Sequence, residues 1–138
     1  MVKNIAALIM ALGLLFSAAG CTTLADARAA KGSGQSRVYD APFDRVWDTV
    51  PEVLKELGLK EEGNNRAAGY VVAQRPIELV KGTALARPDE NVAIFIEKVN
   101  GVPKTRVEVV SKKAVVINVF ARSWETRILD KLAEDLRK

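Results

Sequence analysis

The sequence of 138 residues contains no histidine, one cysteine and few aromatic residues (6%). Without histidine, Ser-His and Cys-His catalysis and nearly all catalytic zinc sites are excluded. One cysteine excludes an internal disulfide and every metal site built from cysteine pairs. The fold must therefore be stabilised by its apolar core, and we expect no catalytic residue, no metal and no cofactor.

The charge of the chain is modest and of mixed sign. Twenty-one basic and 17 acidic side chains give a formal net charge of +4, and both signs are scattered along the sequence. Nucleic-acid recognition requires basic residues concentrated on one face. We therefore expect no nucleic-acid partner.

Residues 1–20 have the three parts of a signal peptide. Lys3 provides the positive start, Ile5–Phe16 the apolar segment and Ser17–Gly20 the small residues of a cleavage zone. A transmembrane anchor is the alternative, but the apolar stretch 5–19 is shorter than the roughly 20 residues that span a bilayer core. It also ends in small residues rather than in a charged cluster. The pattern favours a signal peptide over a membrane-spanning helix.

The cysteine directly follows the small residues, and AAGC (18–21) resembles the bacterial lipobox. One position departs from that pattern, since Ala18 stands where leucine is usual. The resemblance implies a diacylglycerol thioether on Cys21, cleavage before it, and acylation of the new amino group. A secreted protein without lipid is the alternative, but a free thiol is a liability in an oxidising compartment.

Acyl chains on Cys21 would make the membrane surface a partner of the protein. One chain binds marginally, whereas two or more anchor stably. The next residue is Thr22 and not aspartate, which by resemblance to sorted lipoproteins favours the outer membrane. We therefore predict a lipid-anchored protein of the bacterial cell envelope that faces the periplasm.

Residues 21–36 are predicted to comprise the lipidated cysteine and a flexible linker. Small, polar and glycine residues dominate here, and KGSGQS (31–36) is typical of flexible chain. Such a linker would have a root-mean-square reach of about 20 Å and a limit of roughly 50 Å. A short helix over LADARAA (24–30) would be marginal in isolation. We therefore expect the folded part, residues 37–138, to stand clear of the lipid headgroups.

Residues 37–138 are predicted to form one α+β domain. Apolar residues at helical spacing predict a helix from the region of Pro42 to Gly58, bent at Pro51, and Ser123 is the predicted cap of a last helix. Strands are predicted at the start and between the helices, over 37–40, 59–62, 69–74, 91–99, 105–112 and 114–120, with a turn between the second and third. Two amphipathic helices need a shared apolar surface, so we expect an antiparallel sheet of about five strands with both helices on one face. The loop 76–90 is long enough to suggest a functional or mobile segment.

Four segments of this domain resemble a group of small uncharacterised bacterial lipoproteins. They are RVYDAPFDRVWDTVPEVLKELGL, GYVVAQ, TRVEVVSK and SWETRILDKLAEDL. The chain is more distantly similar to the helix-grip domains of an accessory lipoprotein in the outer-membrane β-barrel assembly machinery. The resemblance implies the strand, helix, sheet, helix order and the lipid anchor, and it transfers no catalytic residue.

Three aromatic residues are candidate contacts for a partner or ligand. Trp47 and Trp124 fall on the apolar stripes of the two helices, where a core position is favoured over a stacking platform. Phe95 lies in a strand with apolar residues on both alternating sets. Either the second face of this strand is covered, for example by loop 76–90, or Phe95 belongs to an exposed patch that docks a partner.

The carboxylate pairs Glu61-Glu62 and Asp89-Glu90 are predicted to be solvated charges, because neighbours in a strand point to opposite faces. Together these features favour a non-enzymatic interaction or assembly module that binds an envelope protein. The alternative is a carrier or sensor of a small hydrophobic ligand, held between the sheet and the helix near Pro51. That alternative requires an apolar cavity of at least about 300 Å³.

The anchor prediction is tested by Cys21→Ser. We expect this variant to lose fatty-acid labelling, because serine lacks the thiol that forms the thioether. The measurement is metabolic labelling with palmitate together with fractionation of the cells, with the parent protein as the control. A variant as acyl-labelled and as membrane-bound as the parent would show that Cys21 is not the site.

Overall fold

The computed structural model describes residues 23–75, 78–79, 82, 86–87, 90–113 and 123–138. The predicted signal peptide, Cys21 and the strand predicted over 114–120 lie outside the described residues. In chain order the elements are α1 (Leu24–Ala29), β1 (Gln35–Tyr39), α2 (Phe43–Glu56), β2 (Lys60–Asn65), β3 (Tyr70–Arg75), β4 (Glu78–Leu79), β5 (Ala86–Arg87), β6 (Glu90–Lys98), β7 (Thr105–Lys113) and α3 (Trp124–Asp135).

Five strands form one antiparallel sheet in the order β1-β7-β6-β3-β2. β6 is central, and Phe95 is paired with Tyr70 on one side and with Glu108 on the other. β4 and β5 form a separate two-stranded sheet. The predicted long loop 76–90 therefore contains a small antiparallel pair, and the predicted five-stranded α+β architecture is confirmed.

The main core lies between one face of this sheet and the helices α2 and α3. Alternate residues of β6 and β7 point into it, among them Ile94, Ile96, Val107 and Val109, and all four are fully buried. Each fully buried aliphatic side chain stabilises the fold by about 1.5–3 kcal/mol. Placement of both helices on the same face is confirmed.

Helix α2 continues through Pro51, as its unbroken apolar stripe predicts. The buried residues on either side of the proline are in phase, and they are Val46, Val50, Val53 and Leu54. The chain leaves the helix at Gly58, whose φ of 75° is in the left-handed region that glycine tolerates. The predicted cap of α3 is also confirmed, because the Ser123 hydroxyl accepts a hydrogen bond from the Thr126 amide.

A second, smaller core covers the other face of the sheet. Phe95, Ala93 and Val110 are buried there beneath Ala27 of α1. Because α1 packs on β3, β6 and β7 and β1 begins at Gln35, the prediction of a flexible linker is wrong for residues 23–36. A six-residue helix that is marginal alone is stabilised here by burial of its apolar side against the sheet.

Polar contacts attach this N-terminal segment along its length. Thr23 and Asp26 form a reciprocal capping box at the start of α1. Arg28 donates to the hydroxyl of Tyr70 at 3.1 Å, and Lys31 forms an ion pair with Glu97. These contacts fix α1 across the sheet.

The segment after α1 is held to the sheet through its backbone amides. One carboxylate oxygen of Glu108 accepts hydrogen bonds from the amides of Gly32 and Gly34, at 2.6 and 3.1 Å. A Cβ at Gly34 would lie 2.1 Å from the carbonyl oxygen of Val109, so only glycine allows this close approach. The chain therefore passes from α1 into β1 without a free linker.

The connection between β2 and β3 is shorter than predicted. β2 extends over Gly63, Asn64 and Asn65, and the turn is formed by residues 66–69. Gly63, Asn64 and Asn65 instead pair with β3, after a register shift between Glu61 and Gly63. Such a bulge accommodates one extra residue within a paired strand, which pattern alone does not reveal.

The turn at Gly69 generates a stability prediction. Gly69 has φ of 71°, and a Cβ there would lie 2.4 Å from the carbonyl oxygen of Ile96, whereas Gly58 has φ of 75° with open space around it. We expect Gly58→Ala to cost about 1–2 kcal/mol of unfolding free energy from backbone conformation, and Gly69→Ala to cost more because β6 must also shift. Urea unfolding followed by tryptophan fluorescence measures both. Equal losses in the two variants would contradict the predicted collision.

Tyr39 joins β1 to α3 and generates a pH prediction. Its buried hydroxyl donates to the carbonyl of Leu129 at 2.7 Å, and burial raises the pKa of Tyr39 to about 12 from an ordinary value near 10. The raised pKa stabilises the fold below about pH 10, and that contribution is lost as the pH rises towards 12. We expect Tyr39→Phe to cost about 1 kcal/mol at neutral pH, and the gap to the parent to shrink between pH 10 and 12 in chemical denaturation. A gap that stays constant to pH 12 would contradict this.

Candidate functional site

The structure separates the three aromatic candidates of the sequence. Phe95 is 5% exposed and packs beneath α1, so it forms no exposed patch. Trp124 is 4% exposed in the main core. Trp47 is only partly buried and packs at the margin of that core. Of the three, Trp47 is the one placed at the surface.

Trp47 lies beside a groove at one end of the sheet. It stacks on Phe43 one helical turn earlier, with ring centroids 5.8 Å apart and planes inclined by 20°. The start of α2, the β2–β3 turn and the end of β6 enclose a surface groove of about 740 Å³, which Phe43 lines. We call the surface formed by Phe43, Trp47, Arg66 and Lys98 the aromatic groove.

Arg66 is the residue that organises the aromatic groove. Its guanidinium carbon lies 5.8 Å from the ring centroid of Phe43 and 5.6 Å from that of Trp47, within cation–π range. Ion pairs with Asp44 at 2.5 Å and Asp48 at 3.6 Å hold it there. Because all three charged side chains are about half exposed or more, these pairs are screened and contribute little to stability.

A second cation, from β6, approaches one of these two rings. The ammonium of Lys98 lies 5.5 Å from the ring centroid of Phe43. Beside it a smaller groove of about 360 Å³ separates Phe43 from the β6–β7 turn, residues 99–104. Val102 in that turn is 47% exposed. The aromatic groove therefore continues into a surface that combines apolar area with charges of both signs, and the charged residues that line the two grooves are Asp44, Arg66, Glu97, Lys98 and Lys104.

The helical spacing explains why these groups meet. Phe43 and Trp47 are four residues apart, as are Asp44 and Asp48, so α2 presents an aromatic row beside an acidic row. Arg66 comes from the turn between β2 and β3, which the topology places next to the start of α2. Sequence analysis identified Trp47 but missed Arg66, because the segment GNNRAAG indicates only a turn.

A second charged cluster surrounds Trp124 at the other end of β6. The guanidinium of Arg127 lies 4.1 Å from the ring centroid of Trp124, and that of Arg75 lies 5.9 Å from it. Arg75 also approaches Glu90 at 3.8 Å. Glu90 is 8% exposed, so its prediction as a solvated charge is wrong, because it begins a central strand that is paired on both sides.

Glu125 in the first turn of α3 belongs to the same region. Burial raises the pKa of Glu125, but hydrogen bonds from Ser111 and Ser123 outweigh this, so the pKa of the carboxyl is lowered. One carboxylate oxygen accepts from the Ser111 amide at 3.1 Å. The group therefore stays ionised at neutral pH and joins β7 to α3, which is a structural role.

The described core provides no support for a ligand cavity near Pro51. The residues that α2 presents to the sheet on both sides of the proline are at most 1% exposed. In the part of the chain that the structure describes, no three acidic or cysteine side chains group to hold a metal ion. Within the same ranges, no helix has the length and apolar character needed to cross a bilayer.

Comparisons with known proteins identify no relative of this chain that would indicate what the aromatic groove binds. No protein-family model matches the sequence, and a search of curated proteins finds no match.

Proposed function

We propose that this protein is a lipid-anchored lipoprotein of the bacterial cell envelope, and that its α+β domain is a non-enzymatic module that docks an envelope protein. The anchor is supported by the signal-peptide pattern of residues 1–20 and by the lipobox-like AAGC that ends at Cys21. Thr22 after the cysteine supports retention at the outer membrane, facing the periplasm.

The observation that carries the docking role is the aromatic groove. Tryptophan and arginine are enriched among the residues that dominate binding energy in protein interfaces, and such residues lie in pockets with an apolar lining. Here Trp47 and Arg66 are in contact at the edge of a groove of about 740 Å³. This combination of ring, cation and groove is typical of a protein-docking surface.

The partner that fits the aromatic groove has an apolar anchor beside a carboxylate. The side chain of Arg66 is 49% exposed, and its two carboxylate partners are more exposed still. Water therefore competes readily for these ion pairs. A partner carboxylate can therefore compete with Asp44 and Asp48 for the guanidinium, while an apolar side chain enters the groove beside Phe43.

The proposal is tested by photo-cross-linking in intact cells. A benzophenone amino acid replaces Trp47 in one strain and exposed Lys55, further along α2, in the control strain. We expect one envelope protein to be captured from position 47 and not from position 55. Substitution Arg66→Ala in the first strain should reduce this product about tenfold, which corresponds to about 1.4 kcal/mol for an interface arginine.

Two results would contradict the docking role. One is the same set of captured proteins from positions 47 and 55. The other is a position-47 product that Arg66→Ala leaves unchanged, since the proposed partner must contact the guanidinium.

A further inference from the structure

The N-terminal helix leaves almost no chain between the folded domain and the predicted anchor. α1 begins at Leu24 and is capped by Thr23, only two residues after Cys21. Two fully extended residues span at most about 7 Å. The headgroup region of one leaflet is roughly 5–8 Å thick. An acyl-anchored Cys21 would therefore hold the start of α1 at the level of the headgroups.

The contacts of α1 transmit this restraint to the whole sheet. Ala27 is fully buried against the face that carries Phe95 and Val110. Beyond the helix, Glu108 binds the amides of Gly32 and Gly34. The helix cannot stay at the headgroups while the sheet moves away, unless these contacts break.

The exposed side of this N-terminal segment carries groups that suit phosphate. The side chains of Arg28 and Lys31 are both exposed, and each extends along an aromatic ring of the sheet, Tyr70 and Phe95 respectively. Lys112 of β7 lies close enough to Asp26 to lower the pKa of its carboxyl, after the larger effect of hydrogen bonds from Thr23. Three cations therefore lie beside α1, and each also has a polar neighbour in the protein: the Tyr70 hydroxyl for Arg28, Glu97 for Lys31 and Asp26 for Lys112.

We propose that α1 fixes the second face of the sheet against the phospholipid surface, with Arg28 and Lys31 at the headgroup phosphates. The inference rests on the proposed acylation of Cys21. In this arrangement the domain has one orientation on the membrane, whereas a flexible linker over 21–36 would let it tumble. Helix α2 and the aromatic groove lie on the opposite side of the sheet and face away from the lipid.

The experiment uses the acylated full-length protein in phosphatidylcholine vesicles that contain a headgroup spin label. Because the thiol of Cys21 is consumed by the thioether, an introduced cysteine is the only free thiol. A fluorophore is attached at Arg106→Cys, exposed on the strand that α1 covers, or at Glu52→Cys, exposed on α2. We expect several-fold stronger quenching at position 106 than at position 52.

A matched pair of variants tests whether α1 causes this asymmetry. Ala27→Glu places a carboxylate against the apolar face, where Ala27 is fully buried, whereas Ala29→Glu adds the same charge at an exposed position of the same helix. We expect Ala27→Glu to equalise the quenching at positions 106 and 52, and Ala29→Glu to preserve the difference. Circular dichroism checks that the main core, to which α1 does not contribute, stays folded.

The outcomes separate this inference from the proposed function. Equal quenching at the two positions in the acylated parent protein would contradict the proposed orientation on the membrane, while the proposed acylation would still hold. An asymmetry that Ala27→Glu leaves unchanged would also contradict that orientation. Mass spectrometry of the same preparation tests the anchor itself. An unmodified Cys21 would contradict the proposed acylation and also the membrane orientation that rests on it.

Discussion

The burial of β6 on both faces is the constraint on which the rest of the domain depends. Val92, Ile94 and Ile96 face the main core, while Ala93 and Phe95 face the other way, and all five are buried. Neither set can be left in water without losing the hydrophobic stabilisation that a domain without disulfides requires. The sheet therefore needs a cover on each side. Helices α2 and α3 provide one cover, and the short helix α1 provides the other.

The second cover changes what the N-terminal segment can do. A stretch of small and polar residues after a lipid anchor would ordinarily act as a spacer. Here its apolar side is used by the core, and Glu108, Tyr70 and Glu97 bind its polar groups. Under the proposed acylation, the same residues that complete the fold also determine how close the domain lies to the bilayer and which face it presents.

The aromatic groove follows from the opposite side of the same sheet. Helix α2 buries its apolar stripe and leaves Phe43 and Trp47 at the margin, where the β2–β3 turn brings Arg66 over both rings. The proposed docking surface and the proposed membrane surface are thus on opposite faces of one rigid sheet. A partner in the periplasm could reach the groove without displacing the lipid contact.

Much of the domain was determined by sequence patterns that act over short distances. The apolar spacing of α2, the stop at Gly58, the Ser123 cap and the two-sided apolar pattern of the strand at 91–99 are all local, and each is present in the structure. The same two-sided pattern indicated that Phe95 needed either a cover or a partner. The sequence could not identify the cover, because LADARAA has the helix-forming residues of a marginal helix and only one buried side chain, Ala27.

Tertiary structure decided which distant segments meet. Arg66 reaches Trp47 only because β2 and β3 fold back beside the start of α2, and Glu90 becomes buried only because its strand acquires neighbours on both sides. Hydrophobic periodicity records which face of an element avoids water, and so it predicts elements and their buried sides. It carries no record of what lies against that face, because the free energy of burial is nearly the same for any apolar surface that excludes water.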